Sequence, residues 1–349
     1  MSASSTAHEN NKGACMNAAN EFVRKDYLTQ VARMALPRWN IAQDAQLHLL
    51  SLSENAMFLV SCDHRRWVLR VHRQGYHSLA AVRSELAWMR ALRDDAGIET
   101  PIAVSGTDRQ LVQQVMLEPE TTPRMLVLFD FIPGSAPEPD NLLDAFGQLG
   151  SITARMHRHS RQWQRPAFFQ RQVWDYQGAF GDAPIWGHWR AGFSPHAPGL
   201  EILEQAEHLM CQHLERYGKA PDRFGLIHTD FRLSNLLVDQ GRARVLDFDD
   251  SGFGWYLYDL ASSVTFLENH PDIGKIIAAW IDGYRQVQTL GEEHLALIPT
   301  LMMFRTLVVL GWAGSHPCTD LALEMHGRYS ASAVEFASRY LAGRALRGI

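Results

Sequence analysis

Cysteine is scarce in this chain of 349 residues, and its four copies lie far apart. They are Cys15, Cys62, Cys211 and Cys318, and no two of them form a C-x-x-C pair. This spacing excludes a disulfide scaffold and a zinc ribbon. It favours a reducing environment, so we expect the protein to be cytoplasmic.

The sequence also lacks a secretory signal, an apolar run of membrane length and an excess of basic charge. Residues 1–20 are small and polar, which indicates a loose tail rather than a signal peptide. The most apolar stretch, Ile298–Trp312, is shorter than the ~20 residues of a membrane span and contains Arg305, so we expect a core helix. Because the net charge is −5, we expect neither a nucleic acid nor a membrane as partner. The sequence indicates no particular oligomeric state.

Hydrophobic periodicity divides the chain into a β-rich first half and a mainly helical second half. Alternating apolar residues predict five short strands in the first half, at 45–51, 56–61, 67–72, 110–117 and 125–131. A helical period begins at Ser78, after the third strand. We therefore expect an α+β fold with two lobes. The expected division is a flexible tail at 1–20, an N-lobe at 21–130 and a C-lobe at 131–349.

One short β-rich segment within the helical half carries most of the polar residues of interest. It contains the pattern His-x-Asp-x-x-x-x-Asn, with Asp230 and Asn235, and two apolar runs that lead to Asp247. Gln240-Gly241 lies between the two runs and predicts a hairpin, which would bring Asn235 close to Asp247. Carboxylate and amide oxygens are ligands that suit Mg²⁺. The segment therefore predicts a metal site.

The spacing of these residues fits the chemistry of phosphoryl transfer. In that reaction a loop aspartate accepts the proton of the attacking hydroxyl, and a following Asn and Asp hold magnesium. Asp230 is the candidate catalytic base, Asn235 and Asp247 are candidate metal ligands, and Asp249 is a further one. The alternative interpretation is that the aspartates around Asp247 are solvated turn residues, which the D-x-D-D pattern alone would equally allow.

Together these motifs resemble the aminoglycoside phosphotransferase and choline kinase-like small-molecule kinases, from about Asp26 to the C-terminal helices. The resemblance implies a bilobal kinase-like fold with ATP bound between the lobes. It also implies that ATP and Mg²⁺ are the cofactors and that the partner is a small molecule with a hydroxyl group. It implies that His228 shapes the catalytic loop and that Asp259 braces it.

The same template needs a cation on the third strand and a carboxylate on the next helix to hold the nucleotide phosphates. Arg70 and Glu85 fit by order and separation. The family usually has lysine at this strand position, and an arginine can bind two phosphate oxygens at once. For Glu85, the alternative interpretation is an exposed helix charge.

Two further segments are candidates for the nucleotide site. The loop at 51–56 lacks glycine, so phosphate contacts would come from Ser53, Asn55 and backbone amides, although a polar hairpin turn explains the loop equally well. The resemblance implies that the strand ending at Ile132-Pro133-Gly134 contacts adenine. The backbone near Asp130 and Ile132 would then offer the carbonyl and the amide.

A tryptophan-rich stretch lies between the first helix of the second half and the catalytic loop. Trp174, Trp186 and Trp189, with Asp175, could form an aromatic wall around a cationic amine, or they could belong to the core. His157 is interpreted as a partly buried residue at a helix end rather than a metal ligand.

The function expected from the sequence is ATP- and Mg²⁺-dependent transfer of the γ-phosphoryl group to a small-molecule hydroxyl. Amino alcohols, hydroxy-amino acids and aminoglycosides are the acceptors that fit the resemblance. Two alternatives stay open. One is a bacterial protein Ser/Thr kinase of the stress-response type, and the other is a nucleotide-binding pseudokinase that acts as an interaction module.

Overall fold

The structure is a computed structural model of the chain. It describes residues 24–52, 54–137, 142–194, 197–239, 242–317, 319, 322 and 327–346. The expected tail at 1–20 and the candidate residue Ser53 lie outside the described residues.

Internal contacts group the described residues into two compact units. Unit 1 comprises the described residues of Met1–Leu86 together with Pro101–Ile132. Unit 2 comprises the described residues of Ala87–Thr100 and Pro133–Ile349.

Unit 1 is built on an antiparallel sheet. Helix α1 covers residues 24–35. The strands are β1 (Gln46–Leu52), β2 (Ala56–Cys62), β3 (Arg65–Val71), β4 (Val112–Val115) and β5 (Arg124–Asp130). They form a five-stranded sheet in the order β1-β2-β3-β5-β4. Helix α2 (Leu79–Ala96) follows β3, and its C-terminal part groups with unit 2.

Strand β3 shows how alternation positions a functional side chain. Trp67, Leu69 and Val71 are buried in the core of unit 1, as the period of two predicts. Burying each of them stabilises the fold by about 1.5–3 kcal/mol. Their burial fixes the register of β3, so Arg70 points to the opposite face of the sheet, where its backbone partner on β5 is Val127.

Unit 2 is mainly helical in the part of the chain that the structure describes. Its longer helices are α3 (Leu142–Gln162), α6 (Leu200–Tyr217), α8 (Ile273–Arg285), α10 (Ile298–Ser315) and α11 (Arg328–Leu341). Shorter helices are α4 (Tyr176–Phe180), α5 (Trp189–Gly192), α7 (Tyr258–Ser263) and α9 (Glu292–Leu295). Its strands are β6 (Val173–Trp174), β7 (Phe224–Ile227), β8 (Leu236–Asp239), β9 (Arg242–Val245) and β10 (Gly252–Trp255). This content confirms the expected α+β class.

The predicted hairpin is present in unit 2. Strands β8 and β9 pair antiparallel, with Leu236 opposite Val245. The amide of Leu246 donates to the carbonyl of Asn235 at 2.9 Å, which extends the pairing to the loop that carries Asp230. The turn at Gln240-Gly241 lies outside the described residues. The hairpin therefore places Asp247 one residue beyond the backbone partner of Asn235.

Helix α10 is a core helix, as its apolar sequence predicts. Almost all of its residues from Ile298 to Gly311 are buried. The helical stretch Glu292–Ser315 is long and apolar enough to cross a membrane, but 78% of its apolar window is buried inside the protein. Arg305 lies in the middle of the helix and is 3% exposed. A guanidinium at such a position needs polar partners, because an isolated buried charge is costly.

Helices α3 and α8 approach each other closely because glycines line their contact. A Cβ atom added at Gly150 or Gly283 would overlap a backbone carbonyl of the opposite helix. Only glycine permits this approach. The packing brings His157 of α3 to Tyr284 of α8, with 3.0 Å between His157 Nδ1 and the tyrosine hydroxyl.

Candidate active site

The loop between β7 and β8 places Asp230 in a polar cluster. Thr229, which precedes it, has a φ of 75°, a left-handed conformation that branched residues rarely adopt and that is enriched at functional sites. Asn235 Nδ2 donates to the carbonyl of Asp230 at 2.7 Å and to its Oδ2 at 3.1 Å. The spacing of the sequence pattern thus brings Asp230 and Asn235 into contact.

Asp259, at the start of helix α7, braces this loop, as the resemblance implied. Its buried carboxylate accepts from the backbone amide of Thr229 at 2.7 Å and from that of His228 at 3.1 Å. His157 Nε2 lies 2.9 Å from the same carboxylate. Burial lowers the pKa of His157 although Asp259 opposes the shift, so the imidazole is neutral near pH 7. His157 is fully buried rather than partly buried as predicted, and its contact with Asp259 explains the burial.

His228 connects the loop to the strand that leads to Asp247. Its Nε2 lies 2.9 Å from the carbonyl oxygen of Leu246, and its ring stacks on Phe231 with 5.0 Å between the centroids. Asp247 has a φ of 59°, so the chain turns sharply at this residue. His228 therefore shapes the loop, as expected.

Asn235 and Asp247 supply oxygen atoms that suit Mg²⁺. Because Asn235 donates from Nδ2 to Asp230, its Oδ1 faces the other side of the amide. Asp247 is exposed, whereas Asp249 is 2% exposed. No three carboxylate or imidazole groups of the described residues bring ligand atoms within 4.8 Å of one another at this loop. The donor set fits Mg²⁺, which takes one or two protein carboxylates and completes its shell with phosphate oxygens and water.

Arg305 is a residue of the cluster that no sequence motif indicated. Its Nη2 donates to Asp230 Oδ1. Its Nε donates to Thr265 Oγ1 at 3.0 Å, and its Nη1 donates to the hydroxyl of Tyr258 at 3.3 Å. In the sequence, Arg305 stands out as a single charge in an apolar helix. No neighbouring residue in the sequence indicates that this charge contacts Asp230.

Two arginines set the charge of Asp230. Burial alone would raise the pKa of this carboxyl, but the guanidinium groups of Arg232 and Arg305 outweigh burial and lower the pKa below its ordinary value. Arg232 Nε lies 3.3 Å from Asp230 Oδ1. The carboxylate is therefore ionised at neutral pH and can orient a hydroxyl group.

Buried donors hold the segment that follows Asp247. Arg171 donates to three carbonyl groups of residues 248–251. Trp174 Nε1 and Thr229 Oγ1 both donate to the carbonyl of Asp250, at 2.8 and 3.0 Å. These bonds fix the Asp-Phe-Asp-Asp segment against the loop that carries Asp230.

In unit 1, Arg70 and Glu85 form the predicted ion pair. The pair is bidentate, with 2.8 Å from Nη1 to Oε1 and 2.7 Å from Nη2 to Oε2. Side-chain exposures are 6% and 0%, so Glu85 is not an exposed helix charge. Arg70 Nε also donates to His72 Nε2 at 3.2 Å. These contacts hold the guanidinium in one orientation.

We expect Glu85→Gln to lower the free energy of unfolding by about 3–5 kcal/mol, because it leaves a buried guanidinium without its carboxylate. Denaturant unfolding measures this loss. Asp94→Asn is the matched control on the same helix, since the Arg90–Asp94 pair has side chains that are 76% and 57% exposed. The control should lose less than about 1 kcal/mol. Equal losses of unfolding free energy in the two variants would contradict the interpretation that Glu85 compensates a buried charge.

The other nucleotide candidates of unit 1 have structural contacts. Asn55 Oδ1 accepts from the backbone amide of Arg73 at 3.0 Å, which links the β1–β2 loop to the end of β3. Asp130 ends strand β5, and its amide donates to the carbonyl of Ile102 at 3.0 Å. Ile132 is the last residue of unit 1. Contacts of these residues with phosphate or adenine stay predictions.

Asp175 and Trp186 of the tryptophan-rich stretch have different polar partners. Asp175 accepts from the backbone at the start of helix α4 and contacts Lys219 Nζ at 2.5 Å. Trp186 instead places its Nε1 at 3.3 Å from Asp250 Oδ1. All three tryptophans of the stretch are buried.

Known proteins match most of the chain. Residues 48–295 match a family described as the phosphotransferase enzyme family. Amicoumacin kinase of Bacillus subtilis (strain 168) is 24% identical over 298 residues, which are 81% of this chain and 83% of that protein.

Solved structures agree with this match. A microcompartment-associated aminopropanol kinase superposes with a TM-score of 0.83 and 40% identity, over 91% of this chain and 99% of its own. An amicoumacin kinase in complex with AMP-PNP, Ca²⁺ and Ami superposes with a TM-score of 0.73 and 22% identity, over 93% of this chain and 96% of its own. These superpositions confirm the kinase-like fold.

Proposed function

Since the chain belongs to the phosphotransferase enzyme family, we propose that it transfers the γ-phosphoryl group of ATP, with Mg²⁺, to the hydroxyl of a small amino alcohol. Membership makes the chain a small-molecule kinase. The relative that is 40% identical is an aminopropanol kinase, which favours an amino alcohol over a hydroxy-amino acid or an aminoglycoside. The relative solved with AMP-PNP and Ca²⁺ supports a nucleoside triphosphate and a divalent cation.

The observation that carries this proposal is the contact between Asp230 and Asn235 beside Asp247. Asn235 Nδ2 lies 3.1 Å from Asp230 Oδ2, and Leu246, next to Asp247, bonds the backbone of Asn235. Phosphoryl transfer needs these residue types at adjacent positions, one for the acceptor hydroxyl and two for the metal.

In the proposed reaction, Asp230 orients the acceptor hydroxyl and accepts its proton while the oxygen bonds the γ-phosphorus. The bond from the γ-phosphorus to the bridging oxygen breaks, and ADP leaves. Arg232 and Arg305 keep the Asp230 carboxylate ionised before the transfer. Asn235 holds the orientation of the carboxylate from its other side.

Asn235 and Asp247 would hold Mg²⁺, and Asp249 is a further candidate ligand. Bound there, Mg²⁺ would neutralise negative charge on the phosphate oxygens. We propose that unit 2, in the expected range 131–349, supplies this chemistry.

Unit 1, in the expected range 21–130 and the two residues after it, would bind the nucleotide. Arg70, oriented by Glu85, is the proposed phosphate ligand. The β1–β2 loop, with Ser53 and Asn55, would add phosphate contacts. The backbone near Asp130 and Ile132 would contact adenine. We propose a cytoplasmic location, with Cys62 and Cys211 as free thiols.

Thermal unfolding tests nucleotide binding. ATP with Mg²⁺ should raise the melting temperature of the wild-type protein, and a ligand at 100 times its Kd adds about 2.7 kcal/mol of stability. Asp247→Asn should remove most of this gain while the melting temperature without nucleotide changes little, because asparagine also tolerates the left-handed backbone of this exposed residue. Absence of stabilisation in the wild-type protein would contradict the proposal.

Measurement of ATP consumption over a panel of acceptors tests the reaction. We expect turnover with 1-amino-2-propanol or 3-amino-1-propanol, and turnover at least about 100-fold slower with Asp230→Asn as the reference variant. Label transfer to casein without small-molecule turnover would indicate a protein kinase. Nucleotide binding without any turnover would indicate a pseudokinase.

A further inference from the structure

A small polar cavity lies where the C-terminal ends of helices α2 and α3 meet. Its volume is about 270 Å³, and all of its lining residues belong to unit 2. They include Asp95, Arg155, Arg158, His159, Gln162 and Trp163. None of them takes part in the site described above. The volume suits a molecule of few heavy atoms, because pockets for drug-sized ligands measure about 300–1,000 Å³.

Four of the lining side chains, from Arg155 to Gln162, share one face of α3. They are spaced by three and four positions, so they lie on the same side of the helix. Arg155 joins this face to the end of α2, because its Nη2 donates to the carbonyl oxygens of Ala96 and Gly97, at 2.7 and 3.1 Å. The bond to Ala96 satisfies a carbonyl that a helix end leaves without a partner. Contacts between the two helices therefore hold the cavity wall in place.

Arg158 brings to the cavity a positive charge that the surrounding protein does not balance. Its side chain is exposed, and none of the described residues forms an ion pair or a hydrogen bond with it. Arg155 adds a second positive charge, of which only Nη2 is occupied by the backbone of α2. A planar guanidinium binds a carboxylate through two parallel hydrogen bonds. The cavity therefore fits one carboxylate group of a ligand.

Asp95 places a negative charge in the same cavity. Its Oδ2 lies 3.2 Å from His159 Nε2, and its side chain is 58% exposed. Within the described part of the chain, no group donates to its Oδ1. This carboxylate would repel a simple anion at Arg158, whereas it would attract a molecule that also carries an amine. The two signs of charge thus favour a zwitterion over a simple anion or a simple cation.

Trp163 supplies an aromatic wall to the cavity. Its ring lies 5.7 Å from the ring of His159 and 5.2 Å from that of Phe169, between centroids, and it meets Phe169 edge-to-face. These contacts fix the position of the indole. An indole can cover the methylene groups of a small ligand, and it attracts a nearby ammonium group. The cavity thus offers a surface for the apolar part of a zwitterion as well.

We propose that this cavity binds a short amino carboxylate, with the carboxylate of the ligand at Arg158 and Arg155 and the protonated amine at Asp95. The methylene groups between the two lie against Trp163. Such a ligand needs no hydroxyl group, which distinguishes it from the phosphoryl acceptor. The inference is independent of the proposed function, because none of these residues takes part in the transfer of the phosphoryl group.

Calorimetric titration of the full-length protein tests the site. The ligands are glycine, 3-aminopropanoate and 4-aminobutanoate, which differ only in the number of methylene groups and have no hydroxyl to phosphorylate. At least one of them should bind about 10-fold more tightly than the carboxylate of equal length that lacks the amine. Arg158→Gln should weaken this binding by about 10-fold, because a charge-assisted hydrogen bond is lost. Absence of binding by wild-type protein, or equal binding by Arg158→Gln, would overturn the inference.

Asp95→Asn should have opposite effects on the two kinds of ligand. It removes the partner of the amine, so the amino carboxylate should bind about 10-fold more weakly. It also removes the repulsion of a carboxylate, so the ligand without the amine should bind more tightly. A merely structural role of Asp95 would weaken the binding of both ligands, and that result would refute the amine site.

Arg90→Gln is the matched control for the loss of positive charge. Arg90 lies on α2 outside the cavity, and it is exposed and pairs with Asp94. Its replacement should leave the binding of the amino carboxylate unchanged. Equal weakening by Arg90→Gln and Arg158→Gln would show that net charge rather than the cavity governs binding, and it would contradict the inference. Melting temperatures without ligand verify that each variant is folded.

Discussion

Replacing Asp230 by asparagine is expected to lower kcat by about 10²–10⁴-fold, the range that general-base catalysis contributes. Asparagine preserves the volume of the side chain. Its neutral amide is too weak a base to accept the proton of the acceptor hydroxyl. The KM for ATP should change little, because the proposed nucleotide ligands lie elsewhere. Steady-state kinetics with an amino alcohol as varied substrate measures the effect.

The control for this variant is Asp239→Asn, on strand β8 of the same hairpin. Asp239 pairs with Arg244 at 3.4 Å and is 30% exposed, so we expect kcat to be unchanged. The substitution removes the anionic partner of Arg305, which could destabilise the fold. Circular dichroism of Asp230→Asn therefore has to verify that the variant folds. An Asp230→Asn protein that folds and keeps the wild-type kcat would refute the assignment of the base.

Replacing Arg305 by methionine is expected to have the second large effect. The variant removes a buried guanidinium and leaves Asp230 with one arginine fewer, which should lower the free energy of unfolding by about 3–5 kcal/mol. It should also shift the acid limb of the pH profile of kcat to higher pH. Chemical unfolding and a pH series of kcat measure the two effects.

The direction of the pH shift follows from the pKa of Asp230. In the folded protein this pKa lies below its ordinary value, so the ion pair stabilises the fold above the unfolded-state pKa. That contribution is lost as the pH falls through the folded-state pKa. Without Arg305, only Arg232 remains as an arginine that offsets the effect of burial on the pKa of Asp230. This pKa therefore rises, and the carboxylate becomes protonated at a higher pH.

Lys275→Met is the control for the pH series. Lys275 is exposed and pairs with Asp272 on the surface of the same unit, so neither stability nor the acid limb should change appreciably. An acid limb in Arg305→Met that coincides with that of wild-type protein would show that Arg305 does not set the pKa of Asp230.

Features that depend on local pattern could be predicted from the sequence. The alternation of β3 placed Arg70 on the face opposite Trp67, and the order of strand and helix paired it with Glu85. The two apolar runs after Asn235 predicted the hairpin that brings this residue near Asp247. In each case, neighbours along the chain or in one hairpin settle the geometry, and hydrophobic burial fixes the register.

Features that depend on contacts distant in sequence could not be predicted. Arg305 meets Asp230 across 75 positions, and nothing in an apolar helix indicates which buried partner its single charge will find. The three tryptophans of the stretch are buried, and Asp175, the carboxylate nearest to them in sequence, pairs with Lys219. Asp250, which packs on Trp186, belongs to a different segment, and only tertiary packing reveals it.

The glycine-lined contact of α3 with α8 has a consequence for the reacting groups. His157 projects from α3 onto Asp259, and Asp259 in turn holds two amides of the loop that presents Asp230. A single methyl group added at Gly150 would lie only 2.0 Å from the carbonyl oxygen of Trp280, so α3, which carries His157, could not keep its present distance from α8. The loop that presents the proposed proton acceptor is thus connected, through Asp259 and His157, to a helix contact that has no room for one further carbon atom.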